Sequence, residues 1–94
     1  MILGRFTKQP AETLDYDIDF SEFFADGDTI QSVTSVVVSP AGLTKGSTFV
    51  NSGTIVKQWL SAGTDGVKYK ITVTVTSGAG RVKQVEFYVR VKDE

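Results

Sequence analysis

A chain of 94 residues, 40% hydrophobic and 22% charged, has the composition of an ordinary soluble globular unit and is too short for two independent cores, so one domain over residues 1–94 is expected. It contains no cysteine and no histidine, which removes disulfides, thiolate metal sites, the thiol nucleophile and the imidazole base. A net charge of −1 argues against a nucleic-acid partner, and no apolar run approaches the ~20 residues of a membrane-spanning helix.

Met1-Ile2-Leu3-Gly4-Arg5 lacks the basic start and the apolar stretch of a secretory signal, so folding in a cytoplasm is expected. Ile2 to Thr7 reads as an edge strand, although residues 1–12 as a whole read as a loosely held N-terminal segment. Leu14, Tyr16, Ile18 and Phe20 alternate with Asp15, Asp17 and Asp19, which predicts a strand over residues 13–20 with one apolar and one acidic face. Ser21 to Ala25 is too short for a stable helix and predicts a single helical turn, with Phe23 and Phe24 closing one end of the core. Asp26-Gly27-Asp28 is a turn. Thr29 to Val38, rich in Val, Ile and Thr and ended by Pro40, is a long strand.

Residues 47–50 and 53–60 predict two more strands, split by Asn51-Ser52-Gly53, and residues 62–66 form a loop. Val67, Tyr69, Ile71, Val73 and Val75 then alternate with polar residues, as do Val85, Phe87, Val89 and Val91. The intervening Ser77-Gly78-Ala79-Gly80 makes these an antiparallel hairpin. Both inner sets fall on odd numbers, so the connection should hold an odd number of unpaired residues or a bulge. Short strands at turn spacings of roughly 8–12 residues describe a sandwich of two sheets more readily than a closed barrel.

Chemistry has little to work with. No serine sits in a nucleophile elbow, no glycine loop precedes a helix, and the glycines at 78 and 80 serve a hairpin, so neither an enzyme nor a cofactor is expected. Asp15, Asp17 and Asp19 resemble the first oxygens of a calcium loop, but the glycine and the bidentate glutamate it needs are replaced by Phe20 and Asp26. A solvated strand face, paired with Lys68, Lys70, Arg90 or Lys92, is the alternative. Residues 1–47 hold seven acids against three bases, and residues 48–94 seven bases against four acids, so the halves should neutralise one another across the fold.

Two strands carry more apolar surface than one core face requires. Placing Ile30, Val36 and Val38 inward leaves Val33 and Val37 outward, and Ile55 and Trp59 lie on the face opposite Val56 and Leu60. One set is shielded by a bulge or exposed. If exposed, Val33, Val37, Ile55 and Trp59 are candidates for a protein contact with Trp59 as its anchor; the alternative is that Trp59 covers an open edge of the fold.

Several stretches carry a resemblance: Lys8-Gln9-Pro10-Ala11-Glu12-Thr13-Leu14-Asp15-Tyr16-Asp17-Ile18-Asp19-Phe20, Ala25-Asp26-Gly27-Asp28-Thr29-Ile30, Tyr69 to Thr76, and Gly80-Arg81-Val82-Lys83. From residue 8 to about 91 the chain resembles a group of small bacteriophage and prophage β-sandwich proteins of the head or tail. Relatives tend to carry a tryptophan before the Asp-Gly turn, where this chain has Phe23-Phe24. The resemblance implies an all-β, immunoglobulin-like antiparallel sandwich of about seven strands. It also implies a virion structural or adaptor protein, assembled in the bacterial cytoplasm, whose partners are other virion proteins or further copies of itself. A host-surface glycan- or protein-binding module is the second reading.

Overall fold

Alternation along the two C-terminal strands sets the inner layer of the fold. In the computed structural model, which describes residues 2–24 and 27–93, β6 (Lys68–Ser77) pairs antiparallel with β7 (Val82–Val91). Tyr69 lies opposite Val89, Ile71 opposite Phe87 and Val73 opposite Val85, and all six are buried on one face. The last pair, Thr76 with Val82, leaves residues 77–81 between the strands, the odd number that the shared parity demands.

Five further strands complete two sheets: β1 (Ile2–Lys8), β2 (Leu14–Asp19), β3 (Ile30–Ser39), β4 (Leu43–Ser52) and β5 (Ile55–Ala62). One sheet has the order β1-β7-β6-β3 and the other β2-β5-β4. Between them lie Ile18, Phe20, Ile30, Leu43, Val56 and Leu60 together with the inner residues of β6 and β7. Ser21–Phe23 forms a single 3-10 turn, and Phe23 and Phe24 pack against the core as the sequence suggests. Gly27 lies in a turn, while Ala25 and Asp26 of the expected turn region fall outside the described residues.

The strand order is that of an immunoglobulin-like sandwich. There, the second, fifth and fourth strands form one sheet, and the third, sixth and seventh the other. The first strand distinguishes this molecule: β1 joins the edge beside β7, in parallel, instead of lying beside β2. Tyr69, near the start of β6, adds a second hallmark, since its hydroxyl accepts a hydrogen bond from the Thr64 N–H at 2.9 Å and so ties the strand back to the loop before it. Gly42 makes room for that ring. It has φ +129°, and a Cβ there would stand 2.8 Å from the Tyr69 hydroxyl.

Three sequence expectations are corrected. Residues 2–8, read both as an edge strand and as part of a loosely held segment, form the edge strand, and its last side chain, Lys8, is 1% exposed. The Lys8 Nζ donates to the carbonyls of Gln9 at 2.7 Å and Ala62 at 2.6 Å, which joins the β1–β2 connection to the end of β5. β4 starts at Leu43 rather than residue 47, because Gly46, which interrupts the pattern, lies in a register shift between Lys45 and Thr48 rather than ending the strand. Finally, Val33 faces the core. Register shifts between Ile30 and Ser32 and between Val33 and Ser35 change the parity of β3, so Val33, Val36 and Val38 all pack inward and only Val37 points out.

Candidate functional site

Pairing of β2 with β5 arranges the acidic row. Asp15 stands opposite Trp59, Asp17 opposite Lys57 and Asp19 opposite Ile55, all on the outer face of the three-stranded sheet. The Lys57 Nζ lies 2.7 Å from Asp15 Oδ2 and 3.2 Å from Asp17 Oδ1. Its hydrogen bond holds the Asp15 carboxyl below the usual aspartate range, and the two aspartates in turn hold the Lys57 ammonium above its ordinary value. The lysines and arginine expected as partners are elsewhere. Lys68, Lys70 and Arg90 belong to the other sheet, where Lys70 approaches Glu86 at 3.7 Å and the Lys68 ammonium stands 4.9 Å from the Tyr88 ring centre. A neighbouring strand of the same sheet, not the facing one, supplies the counter-charge to Asp15 and Asp17. Asp19 instead accepts from the Ser21 N–H at 2.8 Å, starting the 3-10 turn.

Beside this row the outer face becomes apolar. β5 is the central strand, and Ile55 and Trp59 rise from it on either side of Lys57. On β4, Phe49 pairs with Lys57 and so joins the same face, where it is 42% exposed. The β4 register shift lies against Trp59, for a Cβ added to Gly46 would stand 3.0 Å from the Trp59 Cβ. Thus Trp59 and Ile55 share a surface with Phe49, bounded on one side by three carboxylates. The other two candidates are separated from it: Val33 packs on the core, and Val37, opposite Thr72, lies on the outer face of the four-stranded sheet. Sequence reasoning missed Phe49, since alternation places it on a face only after the register with β5 is known.

A second feature lies where β1 meets β2. Phe6, Tyr16 and Phe87 gather with ring centres 5.1–5.9 Å apart around a cleft of about 220 Å³ that Asp17, Ile18 and Asp19 also line. Phe6 remains 45% exposed there. The Tyr16 hydroxyl is buried and, among the described residues, has no hydrogen-bond partner; burial first, then Glu12 and Asp15, push its pKa up. The aromatic residues stand on strands rather than loops.

Comparison with protein families finds one model spanning residues 8–90, that of the podophage GP4 fiber-tail adaptor protein gp77. The chain belongs to this family. It is therefore a phage structural or adaptor protein and a component of the virion. A search of curated proteins finds no match. The matched span begins at Lys8, the buried residue that closes β1.

Proposed function

We propose that the chain folds as one β-sandwich domain over residues 1–94 and acts without catalysis or a cofactor, joining neighbouring virion subunits through the outer face of β5 and β4. Its partners on this reading are proteins, neither nucleic acid nor membrane, and assembly begins in the bacterial cytoplasm. The observation that carries the proposal is the grouping of Trp59, Ile55 and Phe49 on one sheet face beside an acidic border. Aromatic anchors carry much of the energy of protein interfaces, and here the Lys57 ammonium that stands between them is turned to the aspartates at the border. The family description, a fiber-tail adaptor, supports contact with tail components.

Size-exclusion chromatography with light scattering tests it, on the chain alone and mixed with each structural protein encoded beside it in the same phage or prophage. A complex or self-assembly is expected, and Trp59→Ala should weaken it by about 2 kcal/mol, roughly 30-fold in Kd, while the free chain, in which Trp59 is half-buried, unfolds at a lower temperature but still cooperatively. A chain that stays monomeric with every neighbour, or a Trp59→Ala variant that associates as well as the native chain, would overturn the assignment.

A further inference from the structure

The two sheets are unequal, with β3 packed near β4 on one side and the fourth strand, β1, projecting over β2 on the other. In the constant-type immunoglobulin arrangement a first strand lies beside the second and completes a four-stranded sheet. Here β1 has gone to β7, so the edge of β2 has no strand beside it among the described residues.

That edge is equipped for pairing. The Phe20 N–H donates to the Thr54 carbonyl at 2.8 Å, continuing the register in which Asp19 faces Ile55. In an antiparallel ladder the pairs alternate, so Ile18, Tyr16 and Leu14 also point their peptide groups at β5, and those of Asp15, Asp17 and Asp19 point to the open edge. β3 and β4 are broken by register shifts, a common protection for edge strands, whereas the β2 register runs unbroken from Leu14 to Asp19.

We propose that an extended segment of another virion subunit adds beside β2 as an eighth strand. The proposal rests on the adaptor reading for the identity of the partner, but uses the open edge of β2, which adjoins the Trp59 face at the aspartate row, and does not use Trp59 itself. Side-chain chemistry defines the segment. Residues opposite Tyr16 and Ile18 face inward and enter the cleft of Phe6, Tyr16 and Phe87, so they are apolar; those opposite Asp15, Asp17 and Asp19 face outward beside carboxylates, so they are Lys or Arg. A second copy of β2 is a poor occupant, because its three aspartates would meet the same three.

The test titrates the full chain with an eight-residue peptide of alternating Lys and Val, a second with Glu in place of Lys, and a third with the Lys and Val residues in separate blocks. Amide chemical shifts and hydrogen exchange are the readouts. The Lys–Val peptide should bind at least tenfold tighter than either control and slow exchange of the Asp15, Asp17 and Asp19 amides. Asp17→Pro removes an edge donor that β5 does not use and should weaken binding at least tenfold; Asp17→Lys with Asp19→Lys, both on an exposed face, should reverse the preference to the Glu peptide. Equal binding of all three peptides, no binding, or unchanged exchange at the β2 amides would overturn strand addition while leaving the Trp59 result standing. Peptide binding with no virion complex in the chromatography would instead keep the edge site and remove its virion partner.

Discussion

Tyr69 shows how much one side chain fixes in this fold. Its ring is buried in the core, its hydroxyl holds the Thr64 N–H, and Gly42 leaves the space that the hydroxyl occupies. Tyr69→Phe keeps the ring and deletes the acceptor, so the Thr64 N–H loses its partner in a part-buried site. A loss of about 1–2 kcal/mol is expected, read as a lower urea midpoint at constant m-value. Gly63 is similarly constrained, with φ +103° and a position where a Cβ would stand 2.6 Å from Val91 Cγ2. Position in the sequence marks Tyr69 as a core residue by parity. The acceptor role of its hydroxyl depends on a loop conformation that parity does not reach.

At the scale of the strand, β3 and β5 show where alternation works and where it stops. On β5 it holds throughout: Val56, Gln58 and Leu60 are buried, and Ile55, Lys57 and Trp59 are on the other face. Gln58 is tolerated there because its amide is satisfied, donating to the Trp59 carbonyl at 2.8 Å and accepting from the Thr48 hydroxyl. On β3, each register shift changes the parity, so Val33 and Val37, which alternation places on one face, end on opposite faces. Replacing each by Thr separates them. Val33→Thr puts a hydroxyl against the core and should lower unfolding free energy by about 1–2 kcal/mol, whereas Val37→Thr at a 53% exposed position should stay within about 0.5 kcal/mol, both by chemical denaturation. The pairing and inner face of the β6–β7 hairpin were legible because its parity rule has no interruption, although β7 begins at Val82, three residues before the alternating run that starts at Val85. Bulges in β3 and β4 were not, since a bulge is set by how a strand follows its neighbour and leaves only an ambiguous apolar excess in the sequence.

Across the whole molecule, the uneven charge of the two halves becomes contact. Asp15 and Asp17 of the first half meet Lys57 of the second, and Asp28 meets Arg81 at 2.8 Å, so the expected neutralisation is realised between particular pairs. The Asp28 carboxyl is held below its ordinary range by a hydrogen bond from the Ser77 hydroxyl and then by Arg81, as that of Asp15 is held by Lys57. For a depressed carboxyl, the folded state binds the proton less well than the unfolded one. The stabilisation is therefore complete above the unfolded value of about 3.8 and is lost as pH falls through the lower folded values. Unfolding midpoints should fall on acidification below about pH 4, and Asp28→Asn should flatten that slope and lower stability at neutral pH. At high pH two lysines act oppositely. Burial depresses Lys8, so its contribution improves as pH rises through its folded value towards 10.5, while the raised Lys57 loses its contribution above 10.5.

By itself, the sequence determined the all-β class, the approximate strands, the core residues of β6 and β7, and a chain without thiol or imidazole chemistry. These follow from period-2 alternation and residue type, which act locally. Its likeness to phage virion proteins also pointed to the family that the match over residues 8–90 establishes. Only the tertiary structure decided that Lys57 would pair with Asp15 and Asp17 of the acidic row, that Phe49 would join Trp59 and Ile55, and that Val37 would lie on the opposite side of the molecule. It also decided that β1 would leave β2 for β7, opening the aromatic cleft. Each of these depends on which strands become neighbours and in what register, and alternation along a single strand carries no information about either.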